Sequence, residues 1–287
     1  MKIKIILVSV ICFFLLVSFS YAQRKRILQI KGSDTMVNLV QGWAEEFMKK
    51  NPYTSIAVTG GGSGVGIASL INKTCDIAES SRKMKLKEIE LAKSKGVEPK
   101  EFIVGYDGLV VVVHPFNPLD KLTFSQLSDI FTGKIKNWKE LGGRDAKIVL
   151  LSREVNSGTH IYFKEQVLRK GDEKLKEEFA PDSLLIPSSQ AIADEIAQNP
   201  QAIGYYGMGY LSQRQKAVAL ARDEKGPYIK PTLETVMDKS YPLSRPLFFY
   251  TNGQPTELLK EFIDFVLSDA GQKITKELDF VPLRAIE

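Results

Sequence analysis

The chain has 287 residues, a formal net charge of +5 and 44% apolar residues, a composition that is ordinary for a globular protein. A charge this small gives no sign of the concentrated basic surface that nucleic-acid-binding proteins carry. Of the two cysteines, Cys12 lies in the first apolar segment, so Cys75 would be alone in a processed chain. A disulfide framework is therefore excluded, and burial of apolar surface must stabilise the fold.

The first residues are typical of a secretory signal. Two lysines precede an uncharged apolar run, residues 5–19, and the small residues of Ser20-Tyr21-Ala22 follow it. The run is shorter than the roughly 20 residues that a membrane-spanning helix needs. Cys12 lies too early to carry a lipid at a processing site. We expect cleavage after Ala22 and export to the periplasm, or to the cell surface or medium where no outer membrane exists.

In chain order, short β-branched runs alternate with segments of helical periodicity. The predicted strands of the first part are residues 27–31, 55–59, 76–79, 102–106 and 109–114, with predicted helices at residues 37–50, 65–72 and 86–95. After a break at 115–118, strands are predicted at residues 148–151, 184–187 and 202–206, with helices at 124–131, 159–170 and 190–198. A strand at 246–250 and helices at 256–267 and 270–278 end the chain. This alternation predicts parallel sheets covered by helices.

Two alternating sets with a break between them predict an α/β protein of two lobes. The predicted units are a signal peptide (1–22), lobe I (23–110), lobe II (111–244) and a return segment of lobe I (245–287). Ligands of such sheets bind beyond the carboxyl ends of the strands. Two hinged lobes can close on a ligand that lies between them.

Three polar loops lie at predicted strand-to-helix turns, at residues 32–36, 61–66 and 153–159. Each places Ser or Thr at a helix N-terminus, where unpaired N–H donors and the helix dipole favour an anion. Glycine in these loops lets a ligand approach the backbone. For any one loop the alternative is an ordinary helix cap, which stabilises a helix by about 1 kcal/mol. The glycine-rich loop lacks the Lys-Ser/Thr ending of a nucleotide-binding loop.

Arg153 is the strongest single candidate for a ligand contact. A guanidinium group offers two parallel donors to two oxygens of one anion. The alternative for Arg153 is a surface salt bridge, for example with Glu154. Ser81 and Arg82 follow the strand at 76–79 and form a fourth candidate, although Arg82 also begins a charged run that is typical of a solvated surface.

These loops resemble those of the phosphate-binding component of bacterial high-affinity phosphate ABC transporters, and the resemblance covers nearly the whole mature chain. The pieces that carry it are Gly32-Ser33-Asp34-Thr35, Gly62-Ser63-Gly64-Val65-Gly66, Arg153-x-x-x-Ser157-Gly158-Thr159 and Asp107-Gly108-Leu109-Val110-Val111. The resemblance implies a type II periplasmic-binding-protein fold that binds phosphate in the cleft between its lobes. It implies no enzymatic activity and no cofactor. The implied partners are inorganic phosphate and a membrane permease, and the protein is expected to be a monomer.

The resemblance and the loops together predict one set of ligand-binding residues. The set is Ser33, Asp34, Thr35, Ser63, Ser81, Arg82, Asp107, Arg153, Ser157, Gly158 and Thr159. Ser81 is a departure, because well-studied relatives carry at this position an aspartate that accepts the proton of phosphate. Our hypothesis is that Asp34 or Asp107 replaces it. The alternatives are a helix cap for Asp34 and a turn residue for Asp107.

Three other functions stay open at this stage. A binding protein for another oxyanion, such as sulfate or molybdate, would use the same helix ends without a proton acceptor. An exported hydrolase would need Ser63 or Ser157 as nucleophile, and neither lies in a Gly-x-Ser-x-Gly elbow. A sensory or adhesive role is compatible with the same fold. No cluster of histidine and cysteine suggests a metal site.

Overall fold

The structure, a computed structural model, describes residues 26–286, and its elements follow the apolar periodicity of the sequence. The strands are β1 Arg26–Gly32, β2 Thr54–Thr59, β3 Ile77–Ser80, β4 Pro99–Val113, β5 Lys121–Thr123, β6 Val149–Arg153, β7 Leu184–Ile186, β8 Ala202–Gly207, β9 Lys216–Ala217, β10 Ala219–Ala221 and β11 Ser244–Asn252. The helices are α1 Val37–Lys50, α2 Ser63–Ile71, α3 Leu86–Ser94, α4 Phe124–Phe131, α5 Gly158–Phe163, α6 Ser189–Gln198, α7 Leu233–Met237, α8 Glu257–Leu267 and α9 Asp269–Glu277. The predicted signal peptide lies outside the described residues.

Packing of apolar helix faces on the sheets decides the positions of the helices. In α1 the residues at helical spacing, Leu39, Trp43 and Phe47 among them, are buried, and the helix ends at Lys50, two residues before Pro52. Proline cannot continue a helix and disfavours helical backbone in the residue before it. Within residues 26–286, no helix combines the length and the hydropathy needed to cross a bilayer.

The main sheet is mixed, with the strand order β2-β1-β3-β11-β4-β8-β6-β7. The pairs β1–β2, β1–β3, β6–β7 and β6–β8 are parallel, as the alternating pattern predicts. By contrast, β11 is antiparallel to both β3 and β4, and β4 is antiparallel to β8. These two strands, β4 and β11, carry the chain between the two halves of the molecule.

The strand β4 is a single strand, whereas the sequence predicts two strands with a turn at Asp107-Gly108. Its first part pairs with β11 as far as Gly108, and its second part pairs with β8 from Leu109 onward. The predicted turn is absent, because strand pairing continues through Asp107 and Gly108, and Asp107 is paired with Arg245 on β11. Gly108 therefore marks the passage from one half of the sheet to the other.

Apolar side chains form separate clusters on the two sides of this passage. One cluster consists of residues between Leu109 and Leu243, joined by Val281. Two others combine residues 28–104 with residues from 247 onward. The two-lobed fold class predicted from the sequence is confirmed, whereas the boundaries at 110/111 and 244/245 stay predictions. We use those boundaries to name lobe I and lobe II.

The differences from the predicted elements are concentrated in lobe II. The helix predicted at 159–170 is α5 followed by a wider turn, Lys164–Leu168, with π-helical hydrogen bonds. The strands β5, β9 and β10 and the helix α7 were not predicted. Elements of two to five residues are too short to show a periodicity, so contacts with distant residues decide them.

Candidate functional site

The carboxyl ends of four strands meet at one place between the lobes. In lobe I, β1 leads into the loop before α1, β2 leads through the glycine run into α2, and β3 ends at Ser80. In lobe II, β6 ends at Arg153 and leads to α5. Glycine is required at position 62, where φ is +96° and a Cβ atom would lie 3.0 Å from the backbone oxygen of Asn156. The two lobes are thus in backbone contact at the site.

Three serine hydroxyls of lobe I form a buried cluster. Ser33, Ser63 and Ser81 are each at most 1% exposed. The Ser33 hydroxyl donates to Ser81 Oγ at 3.0 Å, and the Oγ atoms of Ser63 and Ser81 are 3.3 Å apart. The Ser81 backbone N–H donates to Ser63 Oγ at 3.0 Å. The structure thereby brings together hydroxyl groups from three separate loops.

The residues that face this cluster from lobe II are those of the Ser157-Gly158-Thr159 segment. Ser157 is the N-cap of α5, and its Oγ accepts the backbone N–H of Thr159 at 3.2 Å. A Cβ atom on Gly158 would lie 2.4 Å from Ser63 Oγ and 2.6 Å from Ser81 Oγ, so only glycine fits. Thr159 Oγ1 lies 2.7 Å from Thr35 Oγ1. Hydroxyl groups of both lobes therefore lie close together between the lobes.

Arg153 joins the two lobes through an ion pair. Its Nη2 donates to Asp34 Oδ2 at 2.8 Å, and the side chains of Arg153 and Asp34 are 1% and 15% exposed. Burial lowers the pKa of Arg153, and the charge of Asp34 opposes this shift. An arginine keeps its charge at neutral pH in any case. Asp34 Oδ1 also accepts the backbone N–H of Gly61 at 2.8 Å, which holds the carboxylate beside the glycine run.

A second arginine, Arg245 on β11, was not predicted as a site residue. Its Nε and Nη2 donate to Asp107 Oδ2 at 3.0 and 2.7 Å, and both side chains are at most 1% exposed. Burial raises the pKa of Asp107, and the Arg245 charge and the Met208 N–H act against that shift. The only sequence signal for Arg245 is a single charge directly before the apolar run of a predicted strand.

Among the predicted site residues, Arg82 has a side chain that is bound outside the hydroxyl cluster. Its Nη1 and Nη2 donate to the two carboxylate oxygens of Glu88 at 2.8 and 2.7 Å. Glu88 also accepts the backbone N–H of Lys85 at the start of α3, so this pair fixes the N-terminus of that helix. Ser81 lies with the other hydroxyl groups, whereas the structure does not place the Arg82 guanidinium beside them.

Further contacts cross the cleft around the predicted residues. The Gly64 N–H donates to the backbone oxygen of Asn156 at 3.0 Å, and Asn156 Nδ2 donates to the oxygen of Gly61 at 2.8 Å. The Tyr210 hydroxyl donates to the backbone oxygen of Asp34 at 2.7 Å. Neither Asn156 nor Tyr210 was predicted, because nothing local in the sequence shows that they face the other lobe.

The histidine nearest the site is not arranged as a base for a serine nucleophile. His160 Nδ1 lies 2.8 Å from the backbone oxygen of Arg153, which can only accept, so this nitrogen carries the proton. Burial lowers the pKa of His160 to about 4, and the imidazole is therefore neutral at pH 7. Within residues 26–286, its ring nitrogens bond to neither Ser63 nor Ser157. No group of three or more potential metal-ligating side chains occurs in the same part of the chain.

The fold and the position of this cleft define a class of proteins. A family model described as a PBP superfamily domain matches residues 20–270, which is most of the chain. The chain therefore belongs to the PBP superfamily. The match extends across both lobes and includes every residue of the cleft described above.

The comparison with curated proteins narrows the class. The phosphate-binding protein PstS of Pseudomonas aeruginosa is 34% identical over 271 residues, which cover 88% of this chain and 82% of that protein. The PstS of Borreliella burgdorferi is 31% identical over 286 residues, covering 99% of this chain and all of that protein. Within the superfamily, the chain belongs to the family of these PstS proteins.

Two solved structures agree with this placement. A phosphate ABC transporter substrate-binding protein from Clostridium perfringens, solved with bound phosphate, is 35% identical with a TM-score of 0.80, covering 90% of this chain and 100% of that chain. An ABC-type phosphate transport receptor from Vibrio cholerae is 30% identical with a TM-score of 0.69, covering 88% and 99%. The similarity therefore extends over the whole two-lobed fold.

Proposed function

We propose that this protein is an extracytoplasmic solute-binding protein, which captures inorganic phosphate and delivers it to the permease of an ABC transporter. The observation that carries the proposal is the convergence of buried hydroxyl groups and a buried arginine from both lobes in one small region of the cleft. Four oxygen atoms of a phosphate ion need many donors in a small volume, and such a cleft supplies them. The names of the relatives agree with this ligand.

The proposed ligand contacts follow from the chemistry of each group. The contributing residues are Ser33, Asp34, Thr35, Ser63, Ser81, Arg153, Ser157, Gly158 and Thr159. Arg153 supplies a charge-assisted hydrogen bond, which is about twice as strong as a neutral one. Its contacts with Ile186, Ser189, Pro187 and Asp34 use four of its five N–H groups, so one N–H of Nη1 has no partner within residues 26–286. That group is available to the anion.

Of the two candidate carboxylates, Asp34 is the better acceptor for the phosphate proton. A carboxylate has about four positions for accepted hydrogen bonds. Asp34 receives two donors, from Gly61 and Arg153, whereas Asp107 receives three, two of them from Arg245. Asp34 also lies at the cleft with 15% of its side chain exposed. Because sulfate at neutral pH has no proton to donate, an unmatched acceptor beside it would be costly.

Capture requires that the lobes separate and close. The pairs Arg153–Asp34 and Asn156–Gly61 join lobe I to lobe II directly. An anion that bonds to donors of both lobes stabilises the closed form, and so shifts the population toward it. The proposal also includes export through the predicted signal, action as a monomer and docking on a permease. Neither catalysis nor nucleic-acid binding has a part in it.

Calorimetric titration of the ligand-free mature protein with phosphate, followed by sulfate, tests the function. We expect tight binding of one phosphate per chain that excess sulfate does not displace. Tight binding of sulfate or molybdate in its place would assign the same cleft to another oxyanion. If no oxyanion binds, the proposed function is wrong.

A further inference from the structure

Arg245 and Asp107 form a fully buried ion pair where the two lobes are joined. The two residues are direct partners in the antiparallel register of β4 and β11, next to Gly108. Their side chains are at most 1% exposed, and Asp107 Oδ1 is bound by the backbone N–H of Met208 at 3.1 Å. A buried ion pair is weak evidence for stability, because desolvation of the two charges offsets their attraction. The position of the pair therefore needs another explanation.

The guanidinium of Arg245 reaches one predicted ligand loop in each lobe. Its Nη1 donates to the backbone oxygen of Ser81 in lobe I at 3.3 Å. Its Nη2 donates to Thr159 Oγ1 in lobe II at 3.0 Å. Together with Asp107, these contacts use four of its five N–H groups. Arg245 is thus in contact with the residues on both sides of the proposed phosphate.

The contact with Arg245 restricts the Thr159 hydroxyl group, because its proton must point away from the guanidinium. Arginine has no acceptor, so Thr159 Oγ1 must accept from Arg245. Thr159 and Thr35 share one further hydrogen bond at 2.7 Å, and only one of the two hydroxyl protons can lie in it. Whichever residue donates in that bond, the other keeps a proton free. The pair of threonines therefore presents a hydrogen-bond donor, which suits an ionised oxygen of an anion.

We propose that Arg245, neutralised by Asp107, is a positioning residue of the anion site that orients the Thr35–Thr159 hydroxyl pair as a donor and holds the Ser81 loop. Asp107 then acts as the partner of Arg245 and not as the acceptor of the phosphate proton. The inference rests on the proposed function, because it assigns roles around the same ligand. It adds an arginine, and a direction for the hydrogen bonds, to the site predicted from the sequence.

Phosphate titration of three variants tests this role. In Arg245→Gln/Asp107→Asn both charges are removed together, so no buried charge is left unpaired. We expect its Kd for phosphate to rise by about 10- to 100-fold, the usual effect of losing a hydrogen bond to a charged group. Arg245→Lys keeps the charge without the forked geometry and is expected to lie between the double variant and the wild type.

The single variant Asp107→Asn separates the two roles of the pair. The readout of this variant is selectivity: it leaves Arg245 as a donor to Thr159, so we expect unchanged rejection of sulfate. A surface pair, Arg214–Asp194, supplies the control, because Arg214→Gln/Asp194→Asn removes an ion pair that touches none of the hydroxyl loops. Thermal unfolding of each variant shows whether it is folded before titration. If Asp107→Asn does not fold, Arg245→Lys keeps the inference testable.

The possible results lead to different conclusions. If the wild-type protein binds no phosphate, the proposed function fails. If it binds phosphate and the double variant binds equally well, Arg245 only joins the two strands and the inference is wrong. If Asp107→Asn alone weakens phosphate binding and admits sulfate, Asp107 is the proton acceptor and the inference is also wrong. A weakened double variant, together with an Asp107→Asn variant that still rejects sulfate, supports it.

Discussion

Two arginine–aspartate pairs lie beside the proposed site, and they connect different parts of the molecule. The pair Arg153–Asp34 joins lobe II to lobe I across the cleft, between residues 119 positions apart. The pair Arg245–Asp107 joins two neighbouring strands at the passage between the lobes. In the lobe separation that we propose, the first pair breaks, whereas the second pair, between neighbouring strands, stays together. We call them the cleft pair and the strand pair.

This difference separates two tasks that an anion site must perform. The strand pair is buried, and in the arrangement that the structure shows its donors are directed at the Ser81 and Thr159 loops. The cleft pair forms only when the lobes approach each other, so it stabilises the closed form of the proposed cycle. A close charged pair gains most where water is excluded, and the low exposure of Arg153 meets that condition. The comparison predicts that changes at the cleft pair affect closure and affinity together.

The largest expected effect comes from Arg153→Gln. Truncation of one partner of a buried, hydrogen-bonded charge pair costs about 2–5 kcal/mol, so the Kd for phosphate should rise by roughly 30- to 4,000-fold. Calorimetric titration measures this change. Arg153→Gln/Asp34→Asn, in which no charge is left unpaired, separates loss of the ligand contact from the cost of an unpaired Asp34. Wild-type affinity in both variants would show that Arg153 does not contribute to phosphate binding.

Asp34→Asn should change selectivity more than affinity. Asparagine can still accept one hydrogen bond at its oxygen, but its amide nitrogen can donate to a fully ionised oxygen of sulfate. We expect phosphate binding to weaken by about 10-fold, the effect of one hydrogen bond to a charged group, and sulfate to become a competitor. Competition titration of Asp34→Asn beside Asp107→Asn measures both. Unchanged rejection of sulfate in Asp34→Asn would contradict the role given to this carboxylate.

A third carboxyl group, Glu79, lies near the cleft pair and has no hydrogen-bond partner within the described residues. It is fully buried, and within residues 26–286 neither of its side-chain oxygens has a hydrogen bond. Burial, and then the nearby charge of Asp34, raise the pKa of Glu79 well above its usual value of 4.5. The folded protein therefore keeps this proton at pH values where the unfolded chain has lost it. The free energy of unfolding must fall as the pH rises from about 4.5 toward the folded-state pKa.

Glu79→Gln removes this dependence, because glutamine does not titrate. The variant should gain stability relative to the wild type as the pH rises above 4.5, by up to about 1.4 kcal/mol for each pH unit below the folded-state pKa. Thermal unfolding at pH 5 and pH 8 measures the difference. Glu90→Gln, at an exposed position of α3, is the matched control and should show no such trend. Equal trends for the two variants would mean that Glu79 is ionised in the folded protein.

The smallest expected effect comes from Tyr210→Phe, which removes one neutral hydrogen bond across the cleft. Its hydroxyl donates to the backbone oxygen of Asp34, so the change weakens only the surroundings of the cleft pair. A loss of about 1 kcal/mol corresponds to a severalfold rise in the phosphate Kd. Tyr53→Phe, at an exposed tyrosine, is the control. A loss as large as that of Arg153→Gln would show that Tyr210 contacts the ligand itself.

Much of lobe I could be read from the sequence. The helix at 37–50 was predicted with its bounds, and the strands before and after it were correct to within one or two residues, because their periodicity and their Gly and Pro signals agree. The loops at 32–36, 61–66 and 153–159 were correctly placed at strand-to-helix turns for the same reason. Local patterns are reliable where propensity, periodicity and turn residues indicate the same element.

The partners of the charged residues could not be read in this way. Arg153 and Arg82 look alike in the sequence, since each follows a strand beside a serine or a small loop. The structure directs one toward Asp34 across the cleft and the other toward Glu88 on the next helix. A side chain of this length reaches several residues in every direction, and the fold alone decides which partner is near. The role of Arg245 was hidden for the same reason.

The sequence by itself therefore determined the α/β class, the alternation of elements, the loops that hold the hydroxyl groups and the resemblance to phosphate-binding proteins. These features depend on residues that are near each other in the chain, because the period of apolar side chains and the residues that favour turns are local signals. Only the tertiary structure decided that β4 continues from one lobe into the other, that Arg245 meets Asp107 and Thr159, and that Asp34 meets Arg153. Those contacts join residues about 80 to 140 positions apart, and their formation depends on the packing of the whole chain.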